Sequence, residues 1–140
     1  MDITFSIPFA FSPTASQETN AAALKVLLDC FIRLNLVYLA SHSPSGLYRS
    51  GVRYGRTTIW DTIPALYERG YGDCKSLTAA YIAELRAQGR QANPVFRFFR
   101  RPADGGLDFH ILVQLADGTF MDPSKDLGMG QDENAWFAKR

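Results

Sequence analysis

The spacing of apolar residues along this chain switches from two to about 3.6 and back to two. Residues 3–11 alternate, with Ile3, Phe5, Ile7, Phe9 and Phe11 on one side and Thr4, Ser6, Pro8 and Ala10 on the other. That is a strand pattern, and Pro8 lacks the N–H that a central ladder needs. Residues 1–12 therefore read as an edge strand or as an arm that docks on a partner. Behind Thr14-x-x-Gln17, a capping-box arrangement, Leu24, Leu27, Leu28, Phe31 and Leu34 recur at helical spacing. A long helix is expected over residues 16–40, with Cys30 on it as a small buried hydrophobe.

Periodicity lapses over residues 42–56, where Gly46, Gly51 and Gly55 lie among Tyr48, Tyr54 and three arginines. This is a loop or irregular ribbon that either borders a binding site or lays its tyrosines on neighbouring apolar surface. His42 has no carboxylate or cysteine at ligand spacing and reads as a surface histidine. Thr62, Pro64 and Gly70 bracket a short helix. Leu77, Thr78, Tyr81, Ile82 and Leu85 then mark a helix that opens at Cys74 and closes at Gly89. Beyond Gly89 the period returns to two, with strands expected over 95–100, 107–116 and 119–122, joined by turns at 104–106 and 117–118. These form an antiparallel meander. The tail, 123–140, reads as a loop whose Trp136-Phe137 end docks elsewhere. The fold class is α+β, in one domain over residues 1–140.

Composition narrows the function more than the fold. A chain of 140 residues with 46% apolar side chains buries about 70% of its unfolded surface, enough for a core without disulfide or metal staples. A net charge of +1 offers no footprint for nucleic acid or a membrane surface, although Arg49, Arg53 and Arg56 cluster locally. No apolar run approaches the roughly 18 residues of a membrane span, and residues 3–11 lack the basic flank and cleavage site of a signal peptide. Two cysteines, Cys30 and Cys74, without CxxC or HxxxH spacing, suggest a reducing, cytoplasmic setting with no metal and no cofactor.

Cys74 is the residue with chemistry to explain. A thiol attacks as thiolate, and a free cysteine near pKa ~8.5 is only a few per cent ionised at neutral pH. A helix start contributes about 0.3–1 kcal/mol, less than one pKa unit, so an imidazole partner and a group that orients it are required. His110 and Asp122 are the candidates, and hairpin register decides whether they meet. A two-residue loop at Asp117-Gly118 puts them on opposite faces of the sheet. A three-residue loop, Ala116 to Gly118 with Gly118 left-handed, opposes Leu115 to Thr119 and Leu112 to Asp122. His110 and Asp122 then become diagonal neighbours about 7–8 Å apart at the backbone. That register also gathers Phe109, Ile111, Val113, Leu115 and Met121 on the other face, which favours it.

Gly72-Asp73-Cys74-Lys75-Ser76-Leu77 opening a helix that ends Glu84-Leu85-Arg86-Ala87-Gln88-Gly89, followed by His110 on a strand and by Asp122-Pro123-Ser124, resembles the transglutaminase-like group of the papain-like cysteine superfamily. The resemblance covers residues 70–126 and implies a nucleophile helix packed on an antiparallel sheet. It implies Cys74 as nucleophile, His110 as general base and then acid, and Asp122 as the orienting residue. Members include crosslinking enzymes, proteases, amidases and inactive forms, so the implied substrate is a protein or peptide amide. The short form, with Trp60 upstream and Leu127-Gly128-Met129 downstream, is similar to transglutaminase-like proteins of tailed phages. That implies a virion-associated alternative, a silent scaffold bound to phage structural proteins. Ser76 stands where many members carry a carboxylate, and Leu112 where many carry an aromatic, which leaves pocket shape and substrate class open. Trp60 and Tyr54 are candidates for the cleft or oxyanion hole. Each residue of the triad also has a plain structural role open to it: a buried helix cysteine, a satisfied strand histidine, a cap at Pro123.

Overall fold

A computed structural model describes residues 17–130; the alternating segment 3–11, Thr14 and the Trp136-Phe137 end lie outside the described residues. The first helix, α1 (Gln17–Leu39), agrees closely with the periodic stretch. Its Leu24, Leu28, Ile32 and Asn35 are buried, and it packs along the central helix α3 (Cys74–Ala87). Cys30 departs from expectation. It lies on the outer side of α1 and is exposed, because the core-facing row is the one through Leu24, Leu28 and Ile32, and position 30 falls opposite it.

Helix α3 is buried on nearly every side, from Cys74 through Ala83 and again at Leu85. A helix covered all round must satisfy its buried polar side chains internally, and Lys75, Ser76 and Thr78 each do so. Lys75 donates to the Thr57 carbonyl (2.8 Å), Ser76 accepts from the Asp61 amide (2.9 Å), and Thr78 donates to the Ile111 carbonyl (3.4 Å). On one side of α3 lies α1. On the other is a three-stranded antiparallel sheet in the order β3 (Ala92–Arg100), β4 (Leu107–Leu115), β5 (Phe120–Met121). The fold is thus α+β with a long leading helix. Strand β3 starts at Ala92, three residues earlier than its pattern suggested, since Ala92 pairs with Leu115 at the far end of β4.

The irregular stretch after α1 is tied down at several points. A 3-10 turn at Leu47–Arg49 is held by Glu84 of α3, which accepts from the Leu47 amide (2.9 Å). Tyr48 lies edge-on against Tyr81, ring centroids 4.9 Å apart, so this tyrosine covers α3. Residues Arg53–Tyr54 (β1) pair in parallel with Tyr71–Gly72 (β2), a two-stranded ribbon that local periodicity did not announce. Between them α2 (Ile63–Arg69) starts at Thr62, whose side chain makes no capping bond, and ends on Gly70 in the left-handed conformation. The tail begins with a helical turn, α4 (Pro123–Asp126), and not with a loop.

Candidate active site

The β4–β5 hairpin adopts the three-residue loop. The Leu115 amide donates to Thr119 O (2.9 Å), Val113 pairs with Met121, and Gly118 has φ +86°. Amides along β4 alternate in direction, so those of Leu115, Val113 and Ile111 all point toward β5. In this register Ile111 falls opposite Pro123, which has no N–H to give, and β5 stops at Met121. Both backbone groups of Ile111 are therefore left open at an edge, and α3 fills it. Thr78, four residues and one helical turn beyond Cys74, donates its hydroxyl to the Ile111 carbonyl, and the Ile111 amide favours ionisation of the Cys74 thiol. The gap in the ladder thus ties the first turns of α3 to the residue next to His110.

The same register puts His110 and Asp122 on one face, and their side chains meet at 2.9 Å, His110 Nε2 to Asp122 Oδ2. His110 is buried at 3% exposure. A carboxylate only accepts, so Nε2 carries the proton and Nδ1 is the basic nitrogen. The other oxygen of Asp122 accepts from the Lys125 amide (3.2 Å) and caps α4. Orienting the imidazole and capping the turn are one arrangement, because each carboxylate oxygen serves one of them.

The thiol itself is in a protonated resting state. Burial at 8% exposure pushes its pKa up to about 12, the negative charge of Asp73 adds to the rise, and Lys75 and the Ile111 amide pull it back. The helix start and Lys75 do not overcome desolvation.

Gly72 precedes the thiol because the chain passes too close to its neighbours for a side chain: a Cβ there would stand 2.7 Å from Leu66 Cδ1. Asp73 caps α3 by accepting from the Lys75 amide (3.3 Å) and pairs with the Lys75 ammonium, itself almost fully buried. Burial raises the Asp73 pKa, and Lys75 opposes the rise. Through Lys75 and Ser76 the first turn of α3 grips both ends of the segment 57–61. Asp61 at its end is paired with Arg69 (2.7 Å). Ser76 thus serves as the acceptor for a backbone amide.

The Trp60 indole packs on Phe31 of α1, ring centroids 5.4 Å apart, and Tyr54 lies in β1 with its amide donating to Leu127 O (2.9 Å). Two surface concavities of about 280 and 260 Å³ are lined by residues including Tyr67 and Glu84, and Arg53 and Asp126; neither is lined by Cys74, His110 or Asp122. Among the described residues no three His, Cys, Asp or Glu side chains converge as metal ligands, and no helix is long and apolar enough to cross a membrane. The Lys75–Asp73 pair and the Ile111 edge escaped the sequence reading. The charged Asp73-x-Lys75 flanking the cysteine was the one local signal that could have pointed to the first. No protein-family model, curated protein or solved structure matches the chain.

Proposed function

We propose that this chain carries out cysteine-dependent acyl transfer on protein or peptide amides, with Cys74 as nucleophile, His110 as general base then acid, and Asp122 as the residue that orients the imidazole. The observation behind the reading is the 2.9 Å His110–Asp122 bond beside Ile111, whose carbonyl accepts from Thr78 one turn along α3 from Cys74. It agrees with the papain-like, transglutaminase-like pattern of the sequence.

Because the resting thiol is neutral, attack and proton transfer occur together. The sulfur bonds to the amide carbonyl carbon while its proton passes to His110 Nδ1, and Asp122 stabilises the imidazolium that forms. The tetrahedral oxyanion takes a hydrogen bond from the Cys74 amide at the start of α3, which has no acceptor within the helix. The C–N bond then breaks as His110 returns the proton to the leaving amine, and water or a second amine resolves the thioester. Water makes the reaction hydrolysis; a lysine amine makes it a crosslink.

A second reading, a silent scaffold of the phage-virion kind that binds protein, is favoured by the burial and protonation of the thiol. One experiment separates the two. The p-nitrophenyl ester of an N-acylated amino acid should give a burst of one nitrophenolate per chain and an acyl adduct located on Cys74 by mass spectrometry. His110→Ala should slow that acylation about 10²–10⁴-fold. Absence of an adduct on Cys74, or acylation at equal speed without His110, would overturn the enzymatic reading in favour of the scaffold.

A further inference from the structure

Helix α1 is apolar on both sides. Its inner row, Leu24, Leu28 and Ile32, fills the core, yet its outer row also carries Val26, Cys30, Leu34 and Val37. Val26 is 63% exposed, Leu34 54% and Val37 71%. These positions recur at three- and four-residue spacing, so they form one stripe along the helix, extended by the small Ala22 and Ala40. A helix apolar all round is ordinarily covered all round, and a contiguous apolar patch of this kind marks an interaction surface.

We infer that this stripe is the contact through which two copies of the chain associate, with their α1 helices antiparallel. The pattern is self-complementary under a two-fold axis. With the midpoint of each contact between Phe31 and Ile32, Val26 of one copy falls opposite Val37 of the other, and Cys30 comes within one residue of a position opposite Leu34, each pairing occurring twice. The charges at the edge of the stripe fit the same alignment, since Asp29 then comes within one residue, about 1.5 Å along the axis, of a position opposite Arg33 of the other copy, also twice. Among the described residues neither Asp29 nor Arg33 makes an ion pair within its own chain. A parallel alignment would set Asp29 against Asp29 and Arg33 against Arg33. An isologous contact of this sort needs no second kind of surface. Spanning residues 22–40, about 27 Å of helix at 1.5 Å per residue, it is at the small end of specific interfaces, so a weak dimer is expected.

Sedimentation equilibrium of the full chain over roughly 5–300 µM, a range chosen for an interface at the low end of the size scale, should show a reversible monomer–dimer exchange. Val37→Glu should shift it to monomer with an unchanged circular dichroism spectrum, because position 37 faces solvent. Asp29→Arg and Arg33→Asp should each weaken the dimer at least tenfold, and the double variant should recover it, which only the antiparallel alignment allows. A short bismaleimide should join two chains through Cys30, and Cys30→Ser should abolish the product while Cys74→Ser leaves it. A chain monomeric throughout this range would overturn the inference. So would a dimer indifferent to Val37→Glu, or one in which the double charge exchange fails to restore association. A monomer that dimerises only when residues 1–12 are removed would assign the stripe to the chain's own leading segment and also refute a native dimer.

Discussion

Replacing Asp122 separates its two duties. In Asp122→Ala the α4 cap is lost, at about 1 kcal/mol, and the buried His110 Nε2–H loses its acceptor, at about 1–3 kcal/mol. Together about 2–4 kcal/mol of stability should go, lowering the Tm by roughly 4 °C per kcal/mol for a chain of this size. Asp122→Asn behaves differently. The amide oxygen keeps the Lys125 cap, and the amide nitrogen donates to His110 Nε2, which accepts once the ring proton moves to Nδ1. Stability should therefore fall by no more than about 1 kcal/mol, within the usual span of an exchanged hydrogen bond. Acylation of Cys74 should nevertheless fall by up to about 10⁴-fold, because the nitrogen needed as base now carries the proton. Urea unfolding gives the first quantity, the nitrophenolate burst the second, and ¹⁵N shifts of the imidazole report the tautomer directly. An Asp122→Asn protein that acylates like the parent, or one as unstable as Asp122→Ala, would refute this account of the pair.

The remaining expectations concern the frame around the thiol. Folding holds the Cys74 proton up to about pH 12 against an ordinary value near 9, so unfolding between those values releases a proton and stability, complete below pH 9, declines as pH rises through the window. At pH 10.5 urea melts of the parent should have lost about 2 kcal/mol more than Cys74→Ala has lost, both referred to pH 8; parallel slopes would show that the thiol is not held neutral. Lys75→Met should cost about 2–3 kcal/mol, near the lower end for a broken buried pair because Asp73 keeps some exposure. That loss should shrink on acidification, since an Asp73 carboxyl already raised by burial rises further and takes up a proton; a loss constant from pH 4 to 7 would contradict it. The same variant should label faster at Cys74 with a disulfide reagent, because the segment at Thr57 loses its tether. Gly118→Ala places an L-residue at φ +86° with open space around the new methyl, so the loss should be about 1–2 kcal/mol, set by backbone strain alone; no measurable loss would argue against the three-residue loop.

Much of this architecture is written in local pattern. The 3.6-residue spacing from Leu24 to Leu34 and from Leu77 to Leu85 is enough to raise two amphipathic or buried helices, and alternation beyond Gly89 is enough to raise a meander. Turn chemistry at Ala116-Asp117-Gly118 reaches further than its own residues. By selecting a loop length it fixes which face every side chain of β4 and β5 takes, and so it brings His110 to Asp122. A period and a turn act over a few bonds, which is why they can be read without knowing the rest of the molecule.

Whatever depends on which surface covers which was decided only by the packed chain. Cys30 and Leu28 are equally apolar to a reader of the sequence, but α3 lies on one side of α1 alone, leaving Cys30 outside. The parallel pairing of 53–54 with 71–72 joins segments with no mutual signature. The ionisation of Cys74 is the sharpest instance: its neighbours in sequence, a helix start and Lys75, favour the thiolate, whereas removal of water by the assembled core overrides them. Desolvation is a property of all the atoms surrounding a group, contributed by residues far apart along the chain, and no local window contains it.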